Sequence, residues 1–226
     1  MKGRRSTSSF TKRRIEELKS PHLQLPTDLE RRLSPRTVER LQAYREDLLR
    51  FNPVENLVSR LDPKTEVARL MEESLRAGLE LGLGPEDRVL DVGSGGGFPG
   101  IVWACAFPDT EIVLSERRRT RSDFLEREVL RLGLDKARAH FGDVRTLNAD
   151  PFSWATAKAV AHIEQFLGWV TPLLSDEGRV VTFQRHGWSW DSHGPWEVER
   201  GWNVLEDARA GDRWVYVLRR TDACST

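Results

Sequence analysis

Hydrophobic and polar positions along the chain follow first a helical period and then a strand period. From Ser34-Pro35 onward, Val38, Leu41, Tyr44, Leu48 and Leu49 recur on one helical face. Ser34 can cap this segment and Pro35 suits its first position, while Phe51-Asn52-Pro53 is expected to end it. Residues 63–81 carry a second amphipathic pattern (Val67, Leu70, Met71, Leu75, Leu79, Leu81), stopped by Gly82 and Gly84-Pro85. Helices this amphipathic need a partner, so both are expected to pack on the C-terminal remainder of the chain.

From residue 88 the chain alternates strand and helix, which is the mark of a parallel sheet. Strands are predicted at Arg88–Val92, Glu111–Glu116, Ala137–Phe141, Ala155–Val160 and Gly178–Gln184. Helices are predicted from Phe98, over Thr120–Leu132 and over Ile163–Leu174. Gly201–Leu205 and Trp214–Arg219 then read as an antiparallel pair joined at Gly211-Asp212. The expectation is an α/β, Rossmann-like, seven-stranded and mostly parallel sheet with an N-terminal helical extension. It divides into a basic, disordered arm (1–30), helices packed on the core (31–84) and the core itself (85–222).

The chemistry concentrates at residues 88–101. The run Arg88 to Val92 ends in Asp91-Val92 and meets Gly93, Ser94, Gly95, Gly96 and Gly97, after which an apolar helix begins. A glycine turn between strand and helix admits a ligand against its backbone. Gly93-x-Gly95 alone also fits a dinucleotide site. Asp91 changes that balance, because a carboxylate there repels a pyrophosphate but suits a cofactor carrying an ammonium and a sulfonium. Glu116 closes the next strand about 20 residues on, where an acid can take ribose hydroxyls. Either acid alone reads equally well as a turn cap or a solvated strand end. Together with five glycines they favour S-adenosylmethionine over NAD, and the sheet is then that of a class I methyltransferase.

Composition narrows the class further. The chain has 226 residues with 35 basic and 35 acidic side chains, so its total charge does not point to nucleic acid. Residues 1–20, however, hold seven basic side chains against Glu16 and Glu17. Cys105 and Cys224 imply neither a disulfide framework nor a Cys-rich metal site, and a reducing cytoplasm fits. No apolar run approaches the roughly 20 residues that span a membrane. His162, His186 and His193 lack metal-ligand spacing, so no metal is expected.

Residues 48–186 resemble the bacterial glucose-inhibited division protein B family, chiefly through DVGSGGGFPGI with its Gly97-Phe98-Pro99-Gly100 continuation. Asn52 to Asn56-Leu57-Val58, Glu73-Ser74-Leu75, Glu116 with Arg121 and Phe124-Leu125, and Gly142-Asp143-Val144-Arg145 fit the same pattern. The resemblance implies methylation of guanine N7 in small-subunit (16S) ribosomal RNA, with ribosomal RNA or the small subunit as partner; a monomer is expected. Departures are visible too. Lys158, in Ala157-Lys158-Ala159-Val160-Ala161, stands where the family has arginine, and Phe183-Gln184-Arg185 replaces Leu-Lys-Gly. These leave open a paralogue acting on another RNA or a small molecule, or a scaffold without transfer activity.

The cofactor residues expected are Asp91 at the ammonium, Gly93, Gly95 and Phe98 along the methionine and ribose, and Glu116 at the ribose hydroxyls. Val144 and Arg145 are expected to flank the adenine, with Lys158 at the boundary with substrate. Guanine N7 has a lone pair and no proton, so no general base is required and no catalytic residue stands out. RNA contact is assigned to Arg117, Arg118, Arg119, Arg121 and Arg185 and to the N-terminal arm. Trp188, Trp190 and Trp196 either stack on bases or cover the sheet as a packed loop, with packing slightly favoured.

Overall fold

The segment of alternating strands and helices builds the sheet, and the strand order sets where a ligand can sit. The computed structural model describes residues 23–59, 61–158, 162–186, 188–190, 194–206 and 211–221. Strands β1 (Arg88–Val92), β2 (Glu111–Glu116), β3 (Ala137–Phe141), β4 (Phe152–Ala157) and β5 (Leu174–Arg185) pair in parallel in the order β3-β2-β1-β4-β5. The sheet is completed by β7 (Arg213–Arg220), antiparallel to β5, and by β6 (Trp196–Leu205), antiparallel to β7 on the edge. The seven-stranded, mostly parallel sheet expected from the sequence is present. Strand order reverses between β1 and β4, so a crevice opens at their carboxyl ends.

Side chains alternate across the sheet with period two and feed two cores. Val89, Ile112, Leu114, Val181 and Val215 face one side; Leu90, Val113, Val180 and Leu218 face the other. The first side is covered by α2 (Pro35–Glu55), α3 (Pro63–Leu81), α4 (Gly100–Ala106) and α5 (Arg119–Arg131), through Leu41, Tyr44, Leu48, Met71, Leu75, Trp103 and Phe124. The second is covered by α6 (Ile163–Val170), through Phe166, Leu167 and Val170. The amphipathic N-terminal helices thus share one core with the sheet.

Several boundaries differ from expectation for identifiable reasons. Helix α2 continues through Pro53 to Glu55 and ends at Asn56, whose φ of 51° is left-handed and whose N–H donates to the Asn52 carbonyl. Pro53 lies in the last turn, so the one helical hydrogen bond that its missing N–H forgoes falls at the end of the helix. Order also begins before residue 31. A short helix, α1 (Thr27–Glu30), buries Leu29, and Asp28 pairs with Arg76 at 2.7 Å. Helix α6 stops at Val170 and passes through a 3₁₀ turn (Thr171–Leu173) holding Pro172, so Leu174 opens β5 instead of closing the helix. The start of β6 reads poorly because it is a charged edge strand, with Glu197 and Glu199 paired to Arg219 and Arg179. Residues 1–22, Ala159–Ala161, His193 and Cys224 lie outside the described residues.

Candidate active site

The crevice is floored by the turn that leaves β1. Asp91 is wholly buried, and its Oδ2 accepts the Gly100 N–H at 3.0 Å, at the start of α4. Its Oδ1 is buried with no hydrogen-bond partner among the described residues. Burial pushes the carboxyl up to about 7, against the lowering influence of the Gly100 amide, the Ser94 hydroxyl and Lys158. The turn is tied to β2 through the N–H groups of Gly93 and Ser94, which both donate to the Ser115 carbonyl (2.7 and 3.1 Å). Glu116 then clamps it. Its Oε2 accepts from Gly95 N at 3.0 Å and its Oε1 from Arg118 N at 2.8 Å. Two amides leave this carboxylate lone pairs for further donors.

The glycines divide into two kinds. Gly95 has φ +55°, and a Cβ built on it would lie in ordinary contact, 3.6 Å from Arg121 Nη1 and from the Gly93 carbonyl, without a clash. Gly96 and Gly97 instead allow the protein to approach itself. A Cβ on Gly96 would lie 3.1 Å from the Leu57 carbonyl, and one on Gly97 would lie 2.6 Å from Ile101 and 2.8 Å from the Tyr44 hydroxyl. That hydroxyl donates to the Gly96 carbonyl. The N-terminal extension therefore shapes one wall of the cradle, a role for Tyr44 and Leu57 that no local sequence signal shows.

The other expected residues are placed unevenly. Phe98 turns its ring into the core against Tyr44, with centroids 5.7 Å apart, and Val144 is buried in the opposite core. Both side chains are buried, one on each side of the sheet. Gly142 N donates to the Glu116 carbonyl at 3.0 Å, which brings the 142–145 loop beside Glu116. There the exposed Arg145 folds onto Asp143, which accepts from its Nε at 2.9 Å and its Nη2 at 2.6 Å. These hydrogen bonds hold the Asp143 carboxyl well below the usual carboxylate range. Asp143 is the acid at this position, whereas the sequence pattern points to its neighbours Val144 and Arg145.

Lys158 follows β4 at the far side of the crevice. Its Nζ lies 2.7 Å from Glu73 Oε2 and 4.4 Å from the centre of the Phe183 ring. Glu73 is buried and also accepts from Arg69 Nη1 at 3.0 Å, so α3 is pinned to the end of β4. Burial lowers the Lys158 pKa, and Glu73 opposes that shift. The arginine run is split in role. Arg119 pairs with Asp123 at 2.9 Å and lies over the Phe141 ring, while Arg121 donates to the Asn56 carbonyl at 2.9 Å. Arg117, Arg118 and Arg185 are exposed.

Comparison with known proteins decides the family. The family described as rRNA small subunit methyltransferase G matches residues 37–187, well over half of the sequence. The chain belongs to that family. It is similar to ribosomal RNA small subunit methyltransferase G of Cupriavidus necator, 33% identical over 162 residues, covering 67% of this chain and 70% of the relative. It is similar also to the protein of that name from Neisseria meningitidis, 33% identical and covering 65% and 70%. The fold agrees with solved methyltransferases at low identity. An O-methyltransferase from Bacillus cereus, in complex with S-adenosylhomocysteine, superposes with a TM-score of 0.54 at 12% identity, covering 79% of this chain and 91% of its own. The O-methyltransferase TomG from Streptomyces achromogenes, in complex with S-adenosylmethionine, gives 0.52 at 16%, covering 83% and 90%. The rRNA small subunit methyltransferase G match thus spans the glycine turn, Glu116, the 142–145 loop and Lys158, and it stops before β6 and β7.

Proposed function

We propose that the chain is an S-adenosylmethionine-dependent methyltransferase acting on N7 of a guanine in small-subunit ribosomal RNA. Membership of the rRNA small subunit methyltransferase G family supports the activity and the substrate class. One structural observation carries the cofactor reading. The Glu116 carboxylate, held by the Gly95 and Arg118 amides, stands beside a turn where Gly95 presents no side chain, and the buried Asp91 Oδ1 lacks a partner among the described residues. That donor and acceptor set fits the group. Glu116 would accept the ribose hydroxyls, Asp91 would face the ammonium, and the 142–145 loop, with Asp143 as acceptor, would flank the adenine.

The cofactor supplies an electrophilic methyl group on a sulfonium. The chain's part is to hold guanine in line with it and exclude water. N7 is nucleophilic through its own lone pair, so no side chain has to remove a proton. Two buried groups fit this picture. Burial raises the Tyr44 hydroxyl well above its ordinary value and pushes the Cys105 thiol up to about 12, so both stay protonated at neutral pH. Lys158, fixed by Glu73 at the rim, would border the base. Arg117 and Arg118 offer phosphate contacts that weaken with salt. We place the enzyme in the cytoplasm as a monomer, with residues 85–222 as the catalytic core and 31–84 as its helical wall. No described helix is long and apolar enough to cross a membrane.

Mapping N7-methylguanine in the ribosomal RNA of a deletion strain tests this assignment. The expected result is one missing modification in the small-subunit RNA. An unchanged pattern, with S-adenosylhomocysteine still binding the pure protein, would favour the second reading, another RNA or a small molecule. Lys158 and Gln184-Arg185, which depart from the family pattern, are what motivate that reading.

A further inference from the structure

The end of the sheet beyond the family match carries a run of aromatic rings. Trp190 stacks on Trp188 (centroids 6.2 Å apart, planes at 18°), Trp188 meets Tyr216 at 4.9 Å, Tyr216 stacks on Trp214 (6.1 Å, 21°), and Trp214 meets His186 at 5.5 Å. Trp103 and Trp196 sit in the cores and Trp188 and Trp190 are half-buried against the second one, but none of these five rings is fully buried. Gly201 of β6 makes room for the run, because a Cβ there would come 2.5 Å from the Tyr216 ring. Four of the five rings lie after residue 187, where the family match ends.

At one end of this ladder stands a pair of like charges. Arg185 of β5 and Arg213 of β7 are direct cross-strand partners. Like charges so placed destabilise a strand pair. Neither guanidinium has an acidic partner among the described residues, and Arg213 Nε has no acceptor there. The strand ends lie at the same rim as the glycine turn, since β5 runs parallel to β4 and β1 and β7 begins where β5 ends. From β1 to β7 is three strand spacings, about 14 Å, which a few nucleotides can bridge.

We propose that Trp190, Trp188, Tyr216 and Trp214 form a stacking platform for unpaired RNA nucleotides beside the target base, with Arg185 and Arg213 gripping a phosphate. Aromatic faces accept any base, and two adjacent guanidinium groups suit a phosphodiester. The inference rests on an RNA substrate but not on where the methyl group goes.

The test is anisotropy of a fluorescently labelled single-stranded oligoadenylate titrated with the full chain at several salt concentrations. Trp188→Ala is expected to weaken binding about tenfold, with partial recovery in Trp188→Phe. The double variant Arg185→Gln/Arg213→Gln is expected to reduce the slope of log affinity against log salt by about 0.7, one phosphate contact. Titration with S-adenosylhomocysteine should give unchanged affinity in every variant, which verifies that the cradle is intact. Should Trp188→Ala misfold, Trp190→Ala and the arginine pair carry the same test. Wild-type affinity and salt slope in all folded variants would overturn the proposal and leave the rings as packing or a protein contact. So would failure of the wild-type chain to bind the oligonucleotide at low salt. Because the readout needs no methyl transfer, it stands or falls apart from the guanine-N7 assignment.

Discussion

Gly95 and Asp91 hold the site from opposite sides, and each makes a prediction. Gly95 sits at φ +55°, and a Cβ there would stand 3.6 Å from Arg121 Nη1. Valine there meets a backbone conformation that a β-branched residue avoids, at a cost of about 1–2 kcal/mol, and its methyls would occupy the face of the turn proposed for the cofactor. Gly95→Val should therefore fold and lose S-adenosylhomocysteine binding in calorimetry. Asp91 predicts a pH dependence. Its folded pKa, about 7, is raised from an ordinary 3.8. Between those values the unfolded chain holds fewer protons than the folded one, so stability falls as pH rises through that window and stays reduced above it. Roughly three units correspond to a loss on the order of 4 kcal/mol above pH 7. Asp91→Asn keeps an acceptor for Gly100 N without the charge. Its urea midpoint should stay flatter than that of the wild type between pH 5 and 8, while its affinity for S-adenosylhomocysteine falls.

At the scale of elements, Gly78 shows how packing overrides propensity. Glycine in the last turn of α3 costs up to about 1 kcal/mol against alanine in helix preference. A Cβ at this position, however, would lie 2.6 Å from Phe107 and 2.7–2.8 Å from Trp103, whose indole donates to the Ser74 carbonyl of α3 at 2.7 Å. Overpacking of this kind costs about 1–3 kcal/mol. Gly78→Ala is therefore expected to destabilise by about 1–2 kcal/mol in urea denaturation, although an isolated helix would gain. The amphipathic pattern predicts α3, and Asp62 and Gly82 cap it as such residues should. No local pattern predicts the crossing with α4. The same division explains the glycine turn. Strand, turn and helix are legible in DVGSGGGFPG, but the sequence treats its glycines alike. Only the long-range contacts with Tyr44 and Leu57 separate those that leave space for a ligand from those that let the protein pack on itself.

For the whole molecule, the shared core predicts cooperativity. Leu41, Leu48, Met71 and Leu75 of the extension lie in one cluster with Val89, Ile101, Val181 and Val215 of the core. Far-ultraviolet dichroism and tryptophan fluorescence should report coincident urea transitions; two separated midpoints would show the extension to be independent. Strands β1, β2 and β5 are legible because they are buried on both faces and carry apolar runs, Val89-Leu90, Ile112-Val113-Leu114 and Val180-Val181. The first half of β6 is not, since Glu197, Glu199 and Arg200 lie along a charged edge. Asp143 and Glu73 stand within the family motifs without an evident role, because both are defined by partners: Arg145 for one, and for the other a lysine 85 residues distant. The contact between Tyr44 and the Gly96 carbonyl also bears on engineering. Trimming this enzyme to its alternating strands and helices, as one would to transplant a compact methyl-donor module into another scaffold, would strip away the wall against which the glycine loop is cast. A shortened version would need that surface rebuilt before it could hold a donor.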